Sequence, residues 1–297
     1  MTGMTVPPIA KKIAAAPRRL LVAHNVVPVR AQPTSDSELV SQTLMGRTLA
    51  VHETEGRWSF VETDDAYQGW AESRWLADGR PDLGTLTPVA TIFAEVRTAP
   101  RADAPLALRL PILAAVHVSP PRSMREEWAA ITLPDGETHG WLHVSALPRP
   151  RATVPPPDHV GRAAAERGRD FLGTPYLWGG SSSFGLDCSG FVQLCYRLVG
   201  VTLRRDADIQ RDDSRFLPVA QNDLRPGDLV FFGKSDAVTH VGMALTSDTF
   251  LHAAGGAGVI ITPWGDERYS AGFVDARRLD PARAADPVSA PPAKVSA

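Results

Sequence analysis

The sequence predicts a multidomain chain, two small β-barrels followed by an α+β domain. Three observations carry that expectation. A unit of short alternating strands, broken by turn residues, occurs twice in the first half of the chain. After a proline- and arginine-rich break, the apolar spacing changes to the helical period. Beyond it, strands return one after another without helices between them, the order of an antiparallel sheet with helices packed on it. A length of 297 residues gives room for two or three domains, and 43% apolar with 22% charged residues is the composition of a packed soluble protein.

In chain order, residues 1–19 are rich in Pro, Ala and Lys and read as a loose arm. Residues 20–80 and 88–148 are the two repeats. Val29-Arg30 with Pro33 returns as Val96-Arg97 with Pro100, Trp58-Ser-Phe-Val as Trp128-Ala-Ala-Ile, and Gly69-Trp70 as Gly140-Trp141. Trp58, Trp70, Trp128 and Trp141 are assigned to core packing. The repeats differ in one respect. The first carries Glu38 and Tyr67 where the second has Pro105 and Thr138. Those two residues are either solvated surface groups or a site for a cationic group, which needs a carboxylate and further acceptors. Residues 149–157 form an extended Pro/Arg linker. The third domain spans 158–280, with Asp158 as N-cap of a helix over residues 160–171. Residues 204–223 read as a polar stretch. Pro226-Gly-Asp is a turn delivering the strand Leu229 to Phe232, and four more strands complete a sheet of about five. The tail, 281–297, is Ala/Pro-rich, lacks aromatics and is expected to be disordered.

The chemistry concentrates in Thr174 to Gly190, TPYLWGGSSSFGLDCSG. A Gly/Ser-rich loop runs into Asp-Cys-Ser-Gly, and Phe191, Leu194, Cys195 and Leu198 follow at helical spacing, burying one face. Asp187 stands where an N-cap belongs, and Cys188 lies in the first turn. The positive helix end favours thiolate there, and free N–H groups can hold an oxyanion. Downstream, His240 lies on one predicted strand and His252 on the next, joined by a Thr246-Ser-Asp turn, so a hairpin can put both imidazoles on one face. This is the Cys–His–polar pattern of a thiol hydrolase, with His240 taking the thiol proton and His252 orienting His240.

Other chemistries fit poorly. A net charge of −2 argues against electrostatic binding to nucleic acid or a membrane surface. Gly179 to Gly185 is no phosphate loop, because no Lys-Ser/Thr follows. His139 and His143 fall in a strand and turn without a cysteine, so no metal is expected. No other cofactor is implied. Cys188 and Cys195 lie on one helix, about 10 Å apart along its axis, too far for a disulfide. No export signal or apolar span is evident, so the expected location is cytoplasmic.

From Thr174 to His252 the chain resembles the NlpC-type cysteine peptidases of bacterial cell-wall metabolism, which are small papain-like enzymes. The matching pieces are Pro175-Tyr-Leu-Trp-Gly-Gly, Asp187-Cys-Ser-Gly-Phe, Arg205-Asp-Ala, Leu224-Arg-Pro-Gly-Asp-Leu-Val-Phe-Phe, His240-Val-Gly and His252-Ala. The Val-Arg, Pro, Trp and Gly-Trp frame of the repeats resembles bacterial SH3-like domains, and together they match the subset of γ-D-glutamyl-L-diamino acid endopeptidases in which such domains precede the catalytic one. The resemblance implies Cys188, His240 and His252 as catalytic residues, with Tyr176 and the Cys188 N–H at the oxyanion. It further implies a first barrel beside the active site, and binding of substrate by Glu38, Tyr67, Asp187, Ser189 and residue 208. Many relatives carry Ser at that last position, where this chain has Asp208. The implied partner is a murein tri- or tetrapeptide with a free L-Ala amine, cut between γ-D-Glu and diaminopimelate in peptide recycling. A secreted wall hydrolase and a non-catalytic wall-peptide-binding protein are the alternatives. Oligomeric state is left open.

Overall fold

The computed structural model describes residues 16–119, 126–148, 155–234 and 237–288. They form two compact units, divided after Pro148.

The first unit holds two antiparallel sheets. Strands β1 (Arg18–Val22), β2 (Val26–Arg30), β3 (Leu39–Leu44), β4 (Thr48–Glu55), β5 (Trp58–Glu62), β6 (Gln68–Glu72) and β7 (Leu76–Ala77) pair in the order β3-β2-β6-β5-β4-β1-β7. Strands β8 (Leu86–Pro88), β9 (Phe93–Arg97), β10 (Leu106–Pro111), β11 (Ala115–Val118), β12 (Trp128–Thr132) and β13 (His139–His143) pair as β10-β9-β13-β12-β11-β8. Apart from β7, which has no counterpart, the second order repeats the first, so the sequence repeat is a repeat of topology. The expected arm is shorter than its sequence suggests. Arg18 and Arg19 already belong to β1, and residues 1–15 lie outside the described set.

Alternation along the strands builds each core. Val27 and Val29 point inward with Val22, Leu49, Val51, Val61 and Ala71, while Val96, Leu110, Val116, Ile131 and Leu142 fill the second sheet. Met45, from the β3–β4 turn, is buried in the second core. Its carbonyl accepts the Ala115 N–H at 2.9 Å. Gly46 beside it has φ +81°, and a Cβ there would stand 2.6 Å from the Ala115 carbonyl oxygen. Only glycine permits that approach.

The tryptophans divide between the repeats. Trp58 and Trp70 are buried around Phe60, the Phe60 and Trp70 rings 5.3 Å apart. Trp128 and Trp141 are only half-buried, contrary to the core assignment. The position matching Phe60 is Ala130. The second repeat therefore lacks the ring on which its tryptophans would pack.

The second unit is built on a six-stranded antiparallel sheet. Strands β16 (Phe216–Pro218), β17 (Leu229–Lys234), β18 (Ala237–Ala244), β19 (Thr249–Ala254), β20 (Gly258–Pro263) and β21 (Phe273–Leu279) pair as β16-β21-β17-β18-β19-β20. Preceding them are helix α1 (Val160–Gly168), the two-residue strands β14 (Ser181–Ser182) and β15 (Gly185–Leu186), and helices α2 (Cys188–Arg197) and α3 (Ala207–Arg211). Helix α4 (Glu267–Ser270) precedes β21. Helices α1 and α2 pack on one sheet face, where Phe191, Met243 and Leu251 converge on Gly168. The Pro-Gly-Asp turn locks β17 to these helices. Gly227, at φ +98°, lies so close to Gly161 that a Cβ would sit 2.1 Å from its carbonyl, and Tyr196 donates its hydroxyl to the Gly227 carbonyl at 2.7 Å.

Several local expectations change. Asp158 lies within a 3-10 turn, Pro157–His159, and does not cap the helix; α1 begins without a side-chain cap and ends at Gly168, with a 3-10 turn reaching Phe171. The prolines at 156 and 157 fix a turn whose own hydrogen bond, His159 N–H to the Pro156 carbonyl at 2.8 Å, leads directly into the helix. Residues 189–196 of α2 are buried on every side, not on one face. The polar stretch contains α3 and β16. Part of the tail is tied down. Asp280 caps a 3-10 turn, Pro281–Arg283, Arg283 donates to the Ser214 carbonyl, and Arg215 donates to the Asp286 carbonyl at 3.1 Å. Residues 289–297 lie outside the described set. Among the described residues no helix is long and apolar enough to cross a membrane.

Candidate active site

Cys188 opens α2, partly exposed as a nucleophile must be, and Asp187 is the N-cap. The Asp187 carboxylate receives five hydrogen bonds: from the Gly190 N–H at 2.7 Å, the Gly179 N–H at 3.0 Å, the Ser189 hydroxyl at 3.2 Å, and the Arg205 guanidinium at 3.0 and 2.5 Å. A carboxylate offers about four lone-pair directions, so this one is filled from within the chain. Arg205 is fully buried and also donates to the Ser189 hydroxyl at 2.8 Å. The loop can lie this close to the helix because two glycines meet; a Cβ on Gly190 would stand 2.1 Å from the Gly180 carbonyl oxygen.

The β18–β19 hairpin forms as expected, with Met243 opposite Leu251. Its two imidazoles meet, His240 Nε2 to His252 Nδ1 at 2.8 Å, with rings nearly perpendicular. His252 is completely buried, and its Nε2 lies 2.8 Å from Thr262 Oγ1 on β20. One assignment of protons satisfies the chain. His252 Nε2–H donates to Thr262, His252 Nδ1 accepts from His240 Nε2–H, and His240 Nδ1 is left as the basic nitrogen. Tyr269 of α4 stands edge-on to His252 at 4.7 Å and 5.6 Å from His240. Phe232 and Phe250 complete the apolar wall. The thiol meets the hairpin one residue past His240, where the Val241 N–H hydrogen-bonds the sulfur.

Burial sets the proton balance. It pushes His240 down to about 4, the Asp187 charge opposing. It pushes His252 down to about 3, with His240 and Arg268 adding to it. It raises the Cys188 thiol to about 11, with Asp187 adding to it. Lifting a thiol from 9.0 to about 11 corresponds to roughly 3 kcal/mol. A helix end supplies roughly 0.3–1 kcal/mol to a charge in its first turn. Desolvation thus opposes the helix end at Cys188 and favours the thiol beside a neutral imidazole.

The other candidates fall in three places. Tyr176 bridges to Leu186, and burial with the nearby Cys188 and Asp187 charges raises its phenol, which stays a donor. Ser189 is buried with its hydroxyl between Asp187 and Arg205. Asp208 lies in the first turn of α3 and accepts the Ile209 N–H at 2.9 Å. Glu38 and Tyr67 belong to the first unit; their carbonyls accept the Ala31 N–H at 3.1 Å and the Thr63 N–H at 2.9 Å, just before β3 and β6. Among the described residues no group of three or more His, Cys, Asp or Glu is placed to hold a metal.

Three residues had no role in the sequence reading: Thr262, Tyr269 and Arg205, the last quoted only as part of a motif. Thr262 left no signal in the sequence. Only the structure shows it buried between exposed Ile261 and Pro263, the polar residue facing inward.

A thiol at a helix N-terminus beside two hydrogen-bonded imidazoles defines a site of the cysteine–histidine hydrolase class. The NlpC/P60 family matches residues 173–278, and a bacterial dipeptidyl-peptidase SH3 domain matches residues 29–76. The chain belongs to the NlpC/P60 family, with an SH3-like domain ahead of the family domain. Similar proteins include a γ-D-glutamyl-L-lysine dipeptidyl-peptidase of Bacillus cereus, 27% identical over 84% of this chain and 77% of its own length. A probable endopeptidase of Haemophilus influenzae is 35% identical over 39% of this chain and 72% of its own. The crystal structure of an NlpC/P60 family protein from Bacillus cereus superposes with a TM-score of 0.74 at 22% identity, covering 88% of this chain and 99% of that one.

Proposed function

We propose that this protein is a cysteine peptidase that hydrolyses the bond between γ-D-Glu and a diamino acid in cell-wall peptides with a free N-terminal L-Ala. The observation that carries the proposal is the line of hydrogen bonds from His240 through His252 to Thr262, beside a thiol on a helix N-terminus. The bond is suggested by the Bacillus cereus dipeptidyl-peptidase, whose similarity runs through both units. In this proposal the second sheet of the first unit is a second SH3-like barrel, since it repeats the strand order of the first. The helices and sheet of the second unit are a papain-like α+β domain.

As the Cys188 sulfur attacks the γ-carbonyl, His240 Nδ1 takes the thiol proton. The Cys188 N–H and the Tyr176 hydroxyl hold the oxyanion. The imidazolium, steadied by the His252 lone pair and the Asp187 charge, gives its proton to the leaving amine. Water then cleaves the thioester and releases L-Ala-D-Glu. Asp187, filled by Arg205 and backbone donors, holds the helix end and biases His240. The free amine is assigned to Glu38 and Tyr67, on the strength of their motifs. Asp208 in place of the usual Ser is proposed to alter substrate preference. A free L-Ala amine exists only after the peptide has left the glycan, which fits peptide recycling in the cytoplasm. Recovery of the protein in wall or culture fractions would favour a secreted hydrolase. The decisive test is mass spectrometry of products from L-Ala-γ-D-Glu-diamino-acid peptides. Wild type should release L-Ala-D-Glu and C188A, folded, should release none; release by C188A would defeat the assignment.

A further inference from the structure

If the γ-glutamyl bond is the one cut, the leaving amine carries an α-carboxylate one carbon from the nitrogen that His240 protonates. That anion would emerge beside the imidazoles and the half-buried Tyr269, which the core residues Phe232 and Phe250 back from beneath. Arg205, one cation whose charge bears on the site, is buried and committed to Asp187 and Ser189. A second is Arg268. Its guanidinium lies 5.8 Å over the ring of Tyr269, the residue that touches both imidazoles, and its charge is felt at His252. Asp266 grips it along one edge, through Nε at 3.0 Å and Nη2 at 2.7 Å. Nη1 makes no hydrogen bond among the described residues, and the side chain is 75% exposed. Asp266 itself is held by capping α4. The guanidinium is thus oriented on one edge and open on the other, which suits end-on capture of a carboxylate.

We propose that Arg268, mounted on Tyr269 and aimed by Asp266, binds the α-carboxylate of the leaving diamino acid and favours peptides in which that residue is C-terminal. The proposal rests on the γ-glutamyl reading above and adds the leaving-group side of the site to it. An exposed ion pair of this kind is worth up to about 1 kcal/mol, about fivefold in kcat/KM.

The experiment compares L-Ala-γ-D-Glu-L-Lys with the same peptide ending in a carboxamide. Wild type should prefer the free acid about fivefold. R268Q should bring the ratio close to one, and R268K should retain part of it. Because Arg268 projects into solvent, the variants should keep the wild-type melting temperature. Adding salt should shrink the wild-type preference and leave that of R268Q unaltered. Equal rates on acid and amide in the wild type, or an undiminished ratio in R268Q, would overturn the assignment of Arg268 while leaving the bond assignment standing. Failure of the wild type to cut either peptide after γ-D-Glu would overturn both.

Discussion

Replacing Thr262 by Val should slow the chemical step while leaving the fold in place. The two side chains are nearly isosteric, and Thr262 is buried on β20, so the change deletes one oxygen and little volume. That oxygen accepts from His252 Nε2–H at 2.8 Å. Without it, His252 either keeps a buried N–H with no acceptor or moves its proton to Nδ1. The first costs roughly 1–3 kcal/mol. The second turns a donor toward His240 Nε2, which must then accept, and so moves the His240 proton onto the nitrogen that should act as base. Taking about 1.5 kcal/mol as the bias lost, the competent arrangement falls about tenfold in population. We expect T262V to lower kcat about tenfold with KM little changed, and T262S to restore it. Nitrogen-15 spectra of the histidines should show His252 protonated at Nε2 in the wild type and T262S, and mixed in T262V. Wild-type kcat in T262V, or the same tautomer in all three proteins, would refute the role given to Thr262.

Other outcomes follow from the same geometry. His240 and His252 are harder to protonate folded, near 4 and 3, than unfolded, near 6.5, so the unfolded chain binds more protons between those values. Stability should be full above about pH 6.5 and fall through the window below it, His240 alone contributing on the order of 3 kcal/mol by pH 4; urea midpoints that stay flat from pH 7 to 4 would count against buried neutral imidazoles. R205M leaves the Asp187 carboxylate buried without its counter-ion and should cost about 3–5 kcal/mol in denaturant titrations, an unchanged midpoint showing the pair to be dispensable. E38Q should reduce kcat/KM severalfold on free-amine peptides and leave N-acetylated ones unaffected; the same ratio in both proteins would remove Glu38 from amine recognition.

What could be read in the sequence was local. The helix behind Cys188, its Asp187 cap and the hairpin carrying His240 and His252 are each specified by residues a few positions apart. The repeat could be read for the same reason, since both copies carry their own strand and turn signals. What was hidden depends on partners distant in sequence. Residues 204–223 show only as a polar stretch, yet Arg205, Gln210 and Arg215 are among the most buried of the described residues. Arg205 neutralises Asp187; Gln210 donates to the Ser189 carbonyl at 3.1 Å; Arg215 donates to the Thr202 carbonyl at 2.8 Å. Polarity signals exposure only when the polar groups have no internal partner, and here the partners lie in other elements. The same limit explains the thiol. Helix position is visible in sequence and argues for thiolate, whereas desolvation is a property of the packed site and argues the other way. Trp128 shows it in the first unit. Its motif matches Trp58, but the decision between core and surface rests on whether Phe or Ala stands two residues later, at 60 or 130. A motif therefore fixes where a side chain sits on the backbone, and its neighbours across the fold decide what that side chain does there.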